Sequence, residues 1–240
     1  MKKKIRNILQ NIYQIKFIND KVIKIDSKIE DIYSFNILQP LISNNPFLAF
    51  NSGAMRPLGL AFMLNEIAIN KRDFILEFGL GISTIMMARL AKENKLNLKI
   101  YSVEHDPNWV DIINKQLIYE GIESYVTIIT AELSHNKSNI DWYNEIKINE
   151  IIKNIKFDLI IIDGPPAYSE SLQLSRFPVN EYLEGKLNHT FCILIDDTNR
   201  VGEKKLANVL KTKFSVLQEI SVGDSMTAIY KGNFFNSNPF

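Results

Sequence analysis

Phe74-Ile75-Leu76-Glu77-Phe78-Gly79-Leu80-Gly81-Ile82-Ser83-Thr84 is the stretch that decides the fold. A short run, apolar except for Glu77, leads into a glycine turn that opens a helical pattern around Thr84–Ala91, which makes one β–α unit. Glycines at such a turn let the backbone approach a ligand, and the first amides of the helix are free to bind it. The expected guest is nucleotide-like. The spacing G-x-G-x-x-T lacks the third glycine with which dinucleotide-binding domains pack helix on strand, so a nicotinamide cofactor fits it less well. About 20 residues further on, at the end of the next strand, Glu104 offers a carboxylate to a pair of ribose hydroxyls.

The alternation continues downstream. Leu98–Val103 reads as a strand, Asp106-Pro107 starts a helix carrying Val110, Ile112, Ile113 and Leu117, and Tyr125–Thr130, Phe157–Ile162 and Phe191–Ile195 read as further strands. Strands alternating with helices predict a parallel sheet covered on both faces. Phe214–Val222 and Met226–Tyr230, joined by Gly223-Asp224, predict a terminal hairpin, and the Asn-rich residues 233–240 a frayed tail. Upstream, Leu58–Ile69 has helical spacing. Pro40, Ser43-Asn44-Asn45-Pro46, Ser52-Gly53 and Pro57 make Phe35–Pro57 a loop-rich connection. Before it, Ile5, Ile8, Ile12, Ile15 and Phe17 predict that Lys2 to about Ile32 forms one amphipathic helix with a less regular tail. The division expected is 1–51, a helical and loop extension; 52–232, the α/β domain; and 233–240, the tail.

A net charge of +1 provides no chain-wide field for nucleic acid or anionic membrane. The one cysteine, Cys192, rules out an internal disulfide and a cysteine-rich metal site, and a reducing cytoplasm is the expected setting. No apolar run approaches the roughly 20 residues of a membrane span. The basic start Met1-Lys2-Lys3-Lys4 is followed by Asn7, Gln10, Asn11 and Gln14, which break any signal-peptide core, so neither export nor an anchor is expected.

Glu77-x-Gly79-x-Gly81-x-Ser83-Thr84, Ser102-Val103-Glu104-His105-Asp106 and Ile162-Asp163-Gly164-Pro165-Pro166, in this order and spacing, resemble class I S-adenosylmethionine-dependent methyltransferases, over about Ser52 to Lys231. Trp142-Tyr143, Ser175-Arg176-x-Pro178 and Asp196-Asp197-x-x-Arg200 resemble one subgroup of that family. The resemblance implies a Rossmann-like, doubly wound seven-stranded sheet, mostly parallel with a C-terminal antiparallel hairpin. It also implies site roles. Gly79 and Gly81 would lie under the methionine end and ribose of S-adenosylmethionine, with Ser83 among the cofactor-binding residues and Glu77 helping to hold the cofactor's ammonium group. Glu104 would clasp the ribose, His105, Ala131 and Glu132 would border the adenine, and Asp163 would face the methyl donor. Asp163-Gly164-Pro165-Pro166 stands where amino-group methyltransferases of nucleic acid carry an Asn-Pro-Pro-Tyr motif. The acceptor expected is therefore a small-molecule or glycan hydroxyl, with no nucleic-acid or membrane partner.

Methyl transfer is an in-line displacement, so the protein has to align the acceptor and remove its proton. Asp163, Asp196 and Asp197 are the candidate catalytic residues, either as a base or as Mg²⁺ ligands of the kind found in catechol-type O-methyltransferases. Asp196-Asp197 reads equally as a strand end paired with Arg200. Arg176, in the polar segment Ser169–Asn180, reads either as a fork on the substrate or as an internal anchor of that segment. Two rival functions use the same turn: a nicotinamide-dependent oxidoreductase and a non-catalytic S-adenosylmethionine-binding protein.

Overall fold

The computed structural model describes residues 2–51, 53–136, 139–216 and 218–240 and, within the first helix, the side chains of 14–19 and 21–42. Ser52, Leu217 and the side chains of Ile5, Ile8 and Ile12, which enter the sequence reading, lie outside the described residues.

The strands are β1 (Phe74–Phe78), β2 (Lys99–Glu104), β3 (Val126–Thr130), β4 (Leu133–His135), β5 (Asp141–Tyr143), β6 (Phe157–Ile162), β7 (Leu187–Ile195), β8 (Gln218–Val222) and β9 (Met226–Lys231). The helices are α1 (Lys2–Ile42), α2 (Pro57–Asn70), α3 (Ile82–Glu93), α4 (Pro107–Glu120), α5 (Glu145–Ile152), α6 (Val179–Tyr182) and α7 (Val201–Lys213). Seven strands form one sheet in the order β3-β2-β1-β6-β7-β9-β8, in which only β9 runs against its neighbours. This is the doubly wound sheet with a terminal hairpin that the sequence predicts. The chain builds outward from β1 to β3 and then crosses to β6 on the other side of β1, so the winding reverses between β1 and β6. The small hairpin β4–β5 was not expected. Its strands have three residues each, too few for an alternation to register.

Alternate residues of the central strands feed two cores, as a period of two requires. Ile75, Leu159, Ile161 and Leu194 join α2, α3 and the end of α1 on one face. Leu76, Phe78, Ile160, Ile162, Ile193 and Ile195 join Trp142, Tyr143, α5 and α7 on the other. Both faces are dry, which is why β1, β6 and β7 read as near-continuous apolar runs. α2 is buried on nearly every side between the sheet and α1 and carries apolar residues all round.

The extension differs from expectation. The helix does not give way near Ile32 but runs unbroken to Ile42, so the connection shrinks to residues 43–56. Pro40 falls in the last turn, where the helix still closes with Ser43 N–H on Gln39 O at 2.9 Å. The helix continues because its far end is part of the main core, where Leu38 and Leu41 are buried with α2 and α3. Arg89 of α3 secures that end. It donates to both oxygens of Glu120 at 2.6 and 2.7 Å, and to Leu41 O and Pro46 O at 2.9 Å each. No core boundary therefore falls at residue 51. Among the described residues, no helix is long and apolar enough to cross a membrane.

The tail is also docked rather than frayed. Phe234 stacks on Tyr230 at 3.7 Å between ring centroids. Ser237 is fully buried, and its hydroxyl donates to Glu66 at 2.6 Å. Glu66, itself buried in α2, also accepts from Tyr230 at 2.8 Å and pairs with Arg72 at 2.8 Å. A buried carboxylate needs this many donors to offset its lost hydration, and the tail supplies one of them. Deleting residues 233–240 is expected to lower the unfolding free energy by about 2–4 kcal/mol, the sum of a ring stack and a charge-assisted hydrogen bond. Urea unfolding measures it, and an unshifted midpoint would show the tail to be dispensable.

Candidate active site

Four site residues directly follow a strand and continue the ladder to its neighbour. Gly79 N–H donates to Val103 O at 2.9 Å, Ala131 N–H to Glu104 O at 2.8 Å, Asp163 N–H to Phe78 O at 2.9 Å and Asp196 N–H to Ile162 O at 3.1 Å. Register alone thus aligns the four positions along the carboxyl edge. At the reversal point the turns after β1 and β6 touch. Gly79 has φ +105°, and a Cβ on Gly164 would lie 2.9 Å from Gly79 Cα and collide with the Tyr143 hydroxyl. Only glycine fits either place. Gly81 differs, since a Cβ there meets nothing within 4 Å and would project into open space.

That space is a cleft of about 540 Å³. Its walls include Gly79, Gly81, Ser83, Glu104, His105, Trp109, Tyr143, Asp163, Arg176, Asp196 and Asp197, with Ala49, Asn51, Gly53, Ala54 and Met55 of the connection. Volume and position match a ligand site at a topological switch point.

Glu104, at the end of β2, is nearly buried. It accepts from the N–H groups of His105 at 2.7 Å, Asp106 at 2.9 Å and Leu80 at 3.3 Å, and lies 2.6 Å from His105 Nδ1. Burial pushes its carboxyl up, but the His105 and Asp106 donors outweigh burial and hold it below its ordinary value. The same contact raises the His105 imidazole. Glu104 is therefore an anion at neutral pH, facing the cleft.

Glu77 behaves differently from the role the resemblance implies. It is fully buried behind the glycine turn, outside the cleft wall, and accepts from Ser83 Oγ at 2.5 Å, Thr84 Oγ1 at 2.5 Å and Ser102 Oγ at 2.7 Å. Burial pushes it up to about 7 against the pull of those hydroxyls. It fixes the start of α3 to β1 and β2. The Ser83 hydroxyl is spent on Glu77, although the residue borders the cleft. Ala131 is buried and Glu132 is exposed, paired with Lys147; neither lines the cleft.

Asp163, Asp196 and Asp197 do meet. Their carboxylate oxygens lie within 4.8 Å of one another at the ends of β6 and β7. Burial, then the nearby Asp196, hold Asp163 well above the usual carboxylate range, with Arg176 opposing. Burial and Asp197 push Asp196 up to about 6. Arg176 lies in their midst and is almost wholly buried. It donates to Asp163 O at 2.8 Å, Pro165 O at 3.2 Å and Asp196 O at 3.3 Å, and approaches the carboxylates of Asp197 at 3.2 Å, Asp163 at 3.3 Å and Glu203 at 3.7 Å. All three of its nitrogens are engaged, so the internal-anchor reading holds over a free fork on the substrate. Arg200 pairs with Asp197 at 2.8 Å, as the strand-end reading expects.

Three positioning residues escaped the sequence reading. Trp109 of α4 donates Nε1–H to Leu80 O at 2.7 Å and so braces the glycine turn. Gly202 in α7 leaves no room for a Cβ against Gln173 O, which lets the 169–178 segment pack on the helix start. Tyr143 closes β5 with its hydroxyl buried at the cleft wall and, among the described residues, with no hydrogen-bond partner. Neither Trp109 nor Gly202 stands in a recognisable motif, and Tyr143 shows only as half of the Trp142-Tyr143 pair.

Comparison with known proteins agrees with this geometry. Similar solved structures include a candidate caffeoyl-CoA O-methyltransferase from Staphylococcus aureus, 16% identical over 79% of this chain and 87% of that one, with a TM-score of 0.51. A candidate O-methyltransferase from Klebsiella pneumoniae is 17% identical over 82% and 90%, with a TM-score of 0.50. At such identities the likeness is one of fold. No curated protein sequence matches the chain. A family profile described as a methyltransferase domain matches residues 76–198, more than half of the sequence and the whole stretch from the glycine turn to the acid pair. The chain therefore belongs to the methyltransferase-domain family.

Proposed function

We propose that the protein is an S-adenosylmethionine-dependent O-methyltransferase acting on a small-molecule or glycan hydroxyl in the cytoplasm. The observation that carries the proposal is the meeting, in one cleft, of an open glycine turn, the anionic Glu104 and a cluster of carboxylates. Gly79 and Gly81 admit the cofactor's backbone-hugging end, and Glu104 accepts from the ribose hydroxyls. His105 and Trp109 stand beside the turn as flat walls. Bound S-adenosylmethionine supplies an electrophilic methyl group. In its ionised form Asp163, whose proton affinity burial and Asp196 raise, takes the proton of the acceptor hydroxyl. Its raised proton affinity suits a base better than an ordinary surface carboxylate would.

The cluster also fits a hard divalent cation. Among the described residues, Asp163, Asp196, Asp197 and Glu203 face two guanidiniums, those of Arg176 and Arg200, which leaves an excess of negative charge. Asp163 and Asp196 would hold Mg²⁺, which requires only one or two carboxylates, while Asp197 stays with the arginines. Bound Mg²⁺ would lower the acceptor hydroxyl's pKa. The methyltransferase family sets the nicotinamide reading aside.

Calorimetry with S-adenosylhomocysteine and NAD tests the cofactor directly: binding of the first alone is expected, and binding of NAD alone would overturn the proposal. Glu104→Ala is expected to weaken S-adenosylmethionine binding by about 1.5–3 kcal/mol, the value of a charge-assisted contact, in a variant whose thermal unfolding shows it to be folded.

Tyr143→Phe separates stability from binding. Removing an unpartnered buried hydroxyl is expected to leave the free protein as stable or up to about 1 kcal/mol more stable, while ligand affinity falls. Loss of stability in the free protein would mean that the hydroxyl already has a partner.

Turnover with a hydroxyl acceptor tests the acids. Asp163→Asn is expected to leave S-adenosylhomocysteine binding intact and lower the methyl-transfer rate by roughly a hundredfold or more. If the cation reading holds, chelation abolishes turnover and Mg²⁺ restores it. Activity that survives exhaustive chelation leaves Asp163 as a plain base.

A further inference from the structure

α1 carries two stripes on opposite sides, and the sheet domain uses only one of them. Ser27, Ser34 and Leu41, seven residues apart, are buried against the body together with Leu38. On the other side Ile15, Ile18, Val22, Ile25, Ile29 and Ile32 recur at alternating steps of three and four, and all six are between 43% and 62% exposed. That spacing is an uninterrupted heptad seam, with Ile15, Val22 and Ile29 at position a and Ile18, Ile25 and Ile32 at position d. A globular helix buries a stripe of this kind on its own domain, whereas here it faces away.

We propose that this seam joins copies of the same chain in a parallel, three-stranded coiled coil. The charges beside the seam select both partner and direction. Lys21 and Lys28 occupy g positions, and Asp26 and Tyr33 occupy e positions. In a parallel pairing g meets the following e of the neighbour, so Lys21 faces Asp26 of the next copy and Lys28 faces the ring of Tyr33. An antiparallel pairing would set Lys21 and Lys28 against each other. The seam is thus complementary to itself in one orientation. β-Branched residues at d as well as a favour three strands over two. Because the body attaches on the side opposite the seam, each copy carries its domain on the outside of the bundle. The proposal is independent of the chemistry in the cleft.

Sedimentation equilibrium of the full-length protein is expected to give three times the 27.6 kDa chain mass. The double variant Ile18→Asp, Ile25→Asp is expected to sediment as a monomer while keeping the wild-type thermal shift with S-adenosylhomocysteine or, if that ligand does not bind, the wild-type unfolding midpoint of the body. Lys21→Glu alone should weaken assembly by tenfold or more, and adding Asp26→Lys should restore it. A monomer at all concentrations up to 100 µM, on the order of the upper range for a weak assembly, would overturn the proposal. So would an assembly that survives the double variant, or a monomeric chain whose α1 instead binds anionic phosphatidylserine vesicles, the behaviour of an amphipathic helix lying on a lipid surface.

Discussion

The contact between Gly79 and Gly164 is the constraint around which the site is built. These residues end the turns after β1 and β6, the two strands between which the winding reverses. Were either to carry a side chain, the turns would be pushed apart and the ladder bonds from Asp163 to Phe78 and from Gly79 to Val103 would stretch. Those bonds align the strand ends, so the position of Asp163 relative to Glu104 is set by backbone register rather than by side-chain contacts. The same alignment continues to Asp196 through Ile162. Side chains on rigid strand ends hold their geometry better than side chains on long loops.

Around that frame the protein buries charge in two ways. Glu77 and Glu66 are saturated by hydroxyl and guanidinium donors, and each joins elements distant in the sequence. The acid cluster is different. Arg176 ties the ends of β6 and β7 to α7, yet it does not balance the carboxylates around it, and burial drives Asp163 and Asp196 toward the protonated form. Burial raises Glu77 as well, but its oxygens are occupied by three hydroxyls behind the cleft, whereas Asp163, Asp196 and Asp197 line the cleft. The distinction separates the acids that hold the fold from those available for chemistry.

The sheet was legible because its strands are buried on both faces, so apolar runs such as Phe157–Ile162 coincide with the strand observed. The meeting of Gly79, Glu104 and Asp163 was legible from motifs that follow strands. What escaped depends on contacts between distant segments. Glu77 stands just before the glycine turn and Ser83 just after it, and only the fold shows that the Ser83 hydroxyl is spent on Glu77 although Ser83 borders the cleft. The direction of the Arg176 guanidinium depends on where α7 brings Glu203. Breaker residues misled at Pro40 and in the Asn-rich tail, since local preference there yields to packing on α2 and α3.

The extension is tied to the site through its end point. Arg89 fixes the carbonyls of Leu41 and Pro46, and Arg56 bridges α1 to the β8–β9 turn by bonding Asp31 at 2.8 Å and Asp224. Between these two anchors the chain has only the residues from Phe47 to Met55, and Ala49, Asn51, Gly53, Ala54 and Met55 among them line the cleft. The wall built on β1 and β2 is set by the sheet. The opposite wall is set by where α1 stops and how firmly its end is held. Loops vary more readily than the strands beneath them, so a wall of this origin can be reshaped for a different acceptor without disturbing the strand ends to which the proposed chemistry is assigned.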